Sequence, residues 1–167
     1  MRILHLITHF DLGGAERVAA NIAASTSEGM EYHVAEILRG RSDYTPKFLS
    51  ELRAAGVTCH RSWMPDISWH FLVERIAALL FPLRMLYLML RLRPDVIHTH
   101  TETPDLALYV CVRLMPWLFR HTRIVRTIHN TRLWTGLPRT ARWVEGMFIK
   151  RQSNVAISDS VRDTYAG

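Results

Sequence analysis

A glycine pair and three histidines are the residues of this chain whose types and spacing could do chemistry. Gly13-Gly14 stand where an apolar run, Ile3 to Thr8, gives way to a helical pattern, in Thr8-His9-Phe10-Asp11-Leu12-Gly13-Gly14-Ala15-Glu16-Arg17. Glycines at a strand-to-helix turn let the backbone approach a ligand closely and leave the first amide N–H groups of the helix free, which suits a phosphate or carboxylate. The same pair also fits a plain tight turn that needs positive φ. The spacing is not the G-x-G-x-x-G of dinucleotide sites, and no Lys-Ser/Thr follows as in a P-loop, so NAD and ATP are disfavoured.

His98 and His100 lie in Asp95-Val96-Ile97-His98-Thr99-His100, and alternation along a strand puts both on one face. Two histidines without a third ligand in sequence make a poor zinc site, so no metal is expected. The reading is one core histidine and one lining a crevice. His129 ends Arg126-Thr127-Ile128-His129-Asn130, again at the carboxyl end of an apolar run. An imidazole there could hydrogen-bond a sugar hydroxyl or stabilise developing charge. Asp11 and Glu102 are close enough in sequence to offer polar contacts, although solvated loop charges are the simpler reading.

The elements that must position these residues alternate strand with helix. Strands are read at Ile3 to Thr8, Tyr32 to Leu38, Val57 to Arg61, Val96 to Thr101, Arg123 to His129 and Asn154 to Ile157. Helices are read at Gly14 to Ser27, Pro46 to Ala55, Trp69 to Arg91, Asp105 to Phe119 and Arg139 to Arg151, with Ser158 or Asp159 capping one more. This predicts an α/β, Rossmann-like doubly wound parallel sheet of order 3-2-1-4-5-6, with its ligand crevice outside the carboxyl ends between strands one and four.

Length predicts one domain over 1–167, and the last short helix, reaching Gly167, leads us to expect that the chain continues. The net charge is +6, from 21 Lys plus Arg against 15 Asp plus Glu, and most of the cations are arginine, which suits phosphate-bearing partners. Cys59 and Cys111 have no metal or redox spacing and read as buried thiols of a reducing compartment. The N-terminal apolar run is too short for a signal peptide, so a cytoplasmic protein is expected.

In this order, Ile3-Leu4-His5-Leu6-Ile7 with Gly-Gly-Ala-Glu-Arg, Arg93-Pro94-Asp95-Val96-Ile97-His98-Thr99-His100, Thr127-Ile128-His129-Asn130 and Val155-Ala156-Ile157-Ser158 closely resemble the N-terminal domain of the family 4 retaining glycosyltransferases, of GT-B fold. The resemblance implies metal-independent sugar transfer with retained configuration, without a cofactor, between a nucleotide-sugar donor and a sugar or lipid-linked acceptor. It matches Gly13 and Gly14 to the loop on the donor diphosphate and sugar, and His129 to the catalytic position near the transferred sugar. His100 is matched to the acceptor side, with Glu16, Arg17 and Ser158 as further acceptor-side matches. It implies a C-terminal donor-binding domain, with a Glu-x7-Glu motif, that this sequence lacks. Glu28 and Glu36 are eight positions apart but fall on different elements, so they do not supply that motif.

Ile76 to Leu90 is almost wholly apolar yet broken by Pro82 and Arg84, and falls short of a transmembrane span. Two readings stay open: ordinary helix-on-sheet packing, or a helix laid on a membrane surface. The second draws on Trp63, Trp69, Phe71, Arg75, Arg84, Arg91 and Arg93, with Trp134, Arg139, Arg142 and Trp143 as additions. It implies peripheral contact at the inner face of the membrane and a role in cell-envelope or extracellular polysaccharide. The alternative function is a non-enzymatic basic domain binding nucleic acid or an anionic surface. No clustered Lys/Arg stripe supports it, and it leaves the strand-end histidines unexplained, so no nucleic-acid partner is expected.

Overall fold

The computed structural model describes residues 1–11, 13–25, 28–65, 70–129 and 138–166. Six parallel strands form one sheet in the order β3-β2-β1-β4-β5-β6: β1 Arg2–Ile7, β2 Glu31–Glu36, β3 Thr58–His60, β4 Val96–Thr99, β5 Arg123–Ile128 and β6 Asn154–Ala156. The central strands are near-continuous apolar runs because both faces are covered. Since every pair is parallel, all carboxyl ends share one edge of the sheet. The order reverses between β1 and β4, where the expected crevice falls.

One face is covered by α1 (Gly14–Ala24) and α2 (Thr45–Ala54). Ala19, Ala20 and Ala23 of α1 join Ile7, Val34, Phe48 and Leu52 in its core. The small alanines let α1 lie close to the sheet. Gly56, at φ +80, reverses the chain after α2, a conformation that favours glycine. The other face is covered by α3 (His70–Leu92), α4 (Glu102–Leu114) and α5 (Pro138–Lys150), packed on Leu4, Leu6, Ile97 and Ile124. A last helix, α6 (Asp159–Ala166), follows β6.

The fourth helix is shorter than expected. It stops at Leu114, and Pro116–Phe119 forms a separate 3-10 turn, because Pro116 disfavours helical geometry in the residue before it. Strands one and two each begin one residue earlier than read, and β2 and β4 end two residues earlier. His100 and His129 therefore stand just beyond β4 and β5, on the loops at the carboxyl edge.

The long helix carries apolar residues on both its inner and its outer face. Ala77, Ala78, Phe81, Met85, Leu88 and Leu92 are buried against the sheet and α4. Leu72, Ile76, Leu79, Leu83, Leu86 and Leu90 face outward, each 37% to 67% exposed.

Candidate functional site

The carboxyl edge is held in place by two carboxylates, Glu36 buried and Asp11 half-buried. Glu36, at the end of β2, accepts from the backbone N–H of Phe10 (3.1 Å), Gly40 (3.1 Å) and Ser62 (2.9 Å), and from Arg61 Nε (2.6 Å). One side chain thus ties together the loops after β1, β2 and β3. Asp11 accepts from the hydroxyls of Ser42 and Thr45, pinning the glycine loop to the head of α2. Burial alone raises the Asp11 carboxyl, but the bonds from Ser42 and Thr45 and nearby His9 outweigh it, leaving it below its ordinary value. The expectation of a solvated loop charge at Asp11 is corrected: the residue is a tether.

Gly13 precedes α1 in an extended conformation (φ −149, ψ 151) that any residue can adopt, which excludes the positive-φ turn. A Cβ there would meet only the tip of the Glu16 side chain, which a small shift of that carboxylate would relieve. Gly14 opens α1, and a Cβ there would meet nothing within 4 Å. No packing in this chain demands glycine at 14, and its open side belongs to a hollow of about 340 Å³ lined also by Asp11, Gly13, Arg17, Tyr44 and Phe48. One amide group at the head of α1, that of Glu16, is met by the Glu16 carboxylate itself. Glu16, three residues beyond Gly13, folds back toward it and is buried. Burial raises its carboxyl; its own backbone N–H and His9 pull it down, and Asp11 and Glu74 add to the rise. Arg17 leans the other way, bonding Glu51 (2.8 Å) and the Tyr44 hydroxyl and lying 5.1 Å from the Phe48 ring centroid.

A second hollow, of about 220 Å³, is lined by His100 and His129 with Thr8, Glu74, Asp105 and Thr127 among its walls. Thr8 and Thr101 share a hydroxyl hydrogen bond of 2.9 Å between the ends of β1 and β4. Beneath the hollow runs a chain of imidazoles. His129 Nε2 faces His100 Nδ1 at 3.4 Å, and His100 Nε2 faces His5 Nδ1 at 2.9 Å. His98 bonds the Thr127 hydroxyl at 2.7 Å rather than backbone. Burial lowers all four: His5 to about 3, with His98 assisting, and His98 to about 4, with His129 assisting. His100 falls further still, and His129 falls by burial. The chain is therefore neutral at pH 7, and its tautomers are coupled. His5 Nε2 is buried without a partner. A bare lone pair there would cost less than an orphaned N–H, and that arrangement would leave the proton of His129 on Nδ1.

His5, His98 and His100 bring one ring nitrogen each to within 4.8 Å of one another, a donor set able to hold a metal ion. The third ligand that the sequence does not place near the two strand-four histidines comes from another strand. Parallel pairing in the register His5↔His98 supplies it from β1, which no spacing in sequence reveals.

Asp105 was not anticipated as part of the site. It sits at the bottom of this hollow, accepts from Thr99 Oγ1 (2.5 Å) and lies 3.5 Å from Arg126. Burial pushes its carboxyl up to about 7, against the pull of Arg126 and Thr99. Arg126 is fully buried and makes paired bonds to Glu145 of 2.8 and 2.6 Å, a brace under β5. Ser158 stands apart from the other predicted residues. It caps α6 by accepting from Val161 N–H (3.4 Å) and lines a third hollow, of about 620 Å³, with Ile128 and Arg162. Leu12, Asn130 and Trp134 lie outside the described residues. Among the described residues, then, Gly13, Gly14 and Arg17 share one hollow and His100 and His129 another, with Glu16 under the influence of Asp11 from the first and Glu74 from the second.

Comparison with known proteins agrees with this geometry. The family model for Glycosyltransferase Family 4 matches residues 12–167. No curated protein matches the chain. Among solved structures, a glycosyltransferase from Rickettsia africae superposes with a TM-score of 0.57 at 12% identity, over 94% of this chain and 42% of its own. Anabaena HepE, solved with UDP and glucose, gives 0.56 at 15% identity, over 94% of this chain and 44% of its own. The same protein with UDP-glucose gives 0.55 at 14% identity, over 95% and 44%. The chain thus spans less than half the length of the solved structures it resembles. It belongs to Glycosyltransferase Family 4, as a Rossmann-like α/β domain corresponding to the N-terminal half of the GT-B fold.

Proposed function

We propose that this domain is the acceptor-side wall of a glycosyltransferase that moves a sugar from a nucleotide-sugar to a sugar or lipid-linked acceptor, with retained anomeric configuration and without a metal. The observation that carries the proposal is an open Gly14 in one hollow and the His100–His129 pair in another, both at the carboxyl edge of a family 4 domain. That HepE was solved with UDP-glucose supports a nucleotide-sugar as donor.

In this reading Gly14 lets the donor diphosphate approach the head of α1, and the buried Glu16 carboxylate swings aside as the diphosphate takes its place at the amide groups. His129 Nδ1–H donates to an oxygen of the sugar being transferred, while His100 and His5 hold its tautomer. Arg17, Ser158 and the wall around His100 face the acceptor. The leaving diphosphate is stabilised by amide dipoles and by cationic groups of a donor-binding domain outside this chain, and closure of the two domains excludes water. The setting is the cytoplasm, in the making of cell-envelope or extracellular polysaccharide.

The test is to supply the full-length protein with nucleotide-hexoses and a lipid and oligosaccharide extract, in the presence of EDTA, and to read the product's anomeric configuration by NMR. Transfer with retention is expected. Failure to release nucleotide from any donor contradicts the proposal, and abolition by EDTA contradicts its metal-free part in favour of the three-histidine set.

A further inference from the structure

A helix that is apolar on every side is normally buried on every side. The outer face of α3 breaks that rule. Its outward leucines and Ile76 run from Leu72 to Leu90, about 27 Å along the axis, and with Leu80 and Tyr87 they cover an arc of about 120°. Among the described residues no helix is long and apolar enough to cross a membrane, so this face is not the side of a span.

One border of the stripe is cationic. Arg84 and Arg91 lie about 80–100° to one side of its midline, whereas Arg75, about 80° to the other, is half-buried with one guanidinium nitrogen shielded from solvent. The one acid of the helix, Glu74, is turned inward, where it accepts from Thr103 Oγ1 at 2.7 Å. Along the Arg84 border, Trp63 is 62% exposed, and the guanidinium lies 4.7 Å from the Trp63 ring and 5.1 Å from that of Tyr87. Trp69 and the Phe71 side chain, expected to contribute here, lie outside the described residues.

We infer that this face of α3 docks on an anionic lipid surface, with the leucines at the level of the acyl chains and Arg84, Arg91, Trp63 and Tyr87 among the headgroups. An apolar stripe with a cationic border and aromatic rings along that edge matches the layering of a bilayer interface. A second copy of the chain fits less well. In the antiparallel symmetric pairing of two α3 helices the border of Arg84 and Arg91 meets itself, setting like charges together. The N-terminal end of α3 lies at the site, because Glu74, two residues from Leu72 and Ile76 and on the opposite face of the helix, lines the hollow of His100 and His129. A membrane-held acceptor would be delivered to that hollow, a consequence that rests on the proposed transferase function. The docking itself does not rest on it.

The experiment is flotation of the full-length protein with vesicles of phosphatidylcholine alone and of phosphatidylcholine with 30% phosphatidylglycerol. The expected result is binding to the anionic vesicles that falls roughly 100-fold in partition when Leu79, Leu83 and Leu90 are all changed to Gln, with the circular dichroism spectrum unchanged because these side chains are exposed. Should the triple variant misfold, L83Q alone gives a smaller drop of the same sign. No binding to either vesicle, or equal binding by wild type and variants, overturns the inference. A wild-type dimer that the triple variant converts to monomer, without vesicle binding, assigns the face to a second copy instead. Transfer to a soluble acceptor is expected to survive the triple substitution, so loss of docking and failure of the transferase reading give different results.

Discussion

The sheet carries two groups of paired histidines whose difference in setting is more telling than their similarity. His33 and His60 face each other at 3.1 Å across β2 and β3, as His100 and His129 do at 3.4 Å beyond β4 and β5. Burial lowers the pKa of all four. His33, however, also bonds Glu31 at 3.0 Å, within a surface network that includes Arg2. Among the described residues His100 and His129 have no such carboxylate partner. They line a hollow at the switch point and end inward on the unpartnered His5 Nε2. A depressed pKa alone therefore does not mark a site here. Position at the strand ends, with one unsatisfied terminus, does.

The largest expected effect is on acid stability. Unfolded histidine has a pKa near 6.5, whereas folded His5 is at about 3 and His100 is lowered further. The native state binds fewer protons, so this stability is complete above pH 6.5 and is lost as pH falls below it, at about 1.4 kcal/mol per pH unit per histidine. Urea midpoints should show a loss of about 4 kcal/mol between pH 7 and pH 5 from His5 and His100 together. The H5F variant should lose roughly half of that dependence, and an unchanged dependence would show that the chain is not buried neutral.

His5 is also a positioning residue in this account, which leads to the next effect. H5F should lower sugar transfer about tenfold and shift its pH profile, because His129 loses its fixed tautomer. H5F with wild-type kcat and pH profile would reduce His5 to packing. The corresponding change in the other group, H33F, is expected to leave transfer unchanged.

G14A separates function from folding. Alanine at the first position of α1 meets nothing, so thermal unfolding should show stability unchanged or raised by about 0.5 kcal/mol, while transfer falls through a higher donor KM. Undiminished transfer would leave Gly14 without a role. The smallest effect is expected for E31Q, which weakens an exposed network with Arg2 and should cost only a few tenths of a kcal/mol. A loss above about 1 kcal/mol would mean that the His33 group is more strongly coupled than its exposure suggests.

Strand order and the strand-end placement of His100 and His129 were legible because apolar runs, glycines and prolines punctuate the chain. What was not legible depends on neighbours across the sheet. His5 enters the site through its register with His98, although a lone histidine in a wholly apolar strand was a signal available to the eye. Asp11 looked solvated because its partners, Ser42 and Thr45, arrive from the next loop. Glu16 was matched to the acceptor side, and only the geometry folds it toward Gly13. Hydropathy gave the apolar length of α3 but not its two faces, since burial of one and exposure of the other have the same composition.

The most direct test sets H129A against H60A in the full-length protein, with transfer rate and unfolding midpoint measured for both. Both residues have lowered pKa values and a histidine partner, and only His129 lines the hollow. The account predicts that H129A loses at least about 100-fold in kcat with a near-native midpoint, and that H60A keeps its transfer. Equal transfer by the two variants would contradict the assignment of the sugar-transfer site to the ends of β4 and β5.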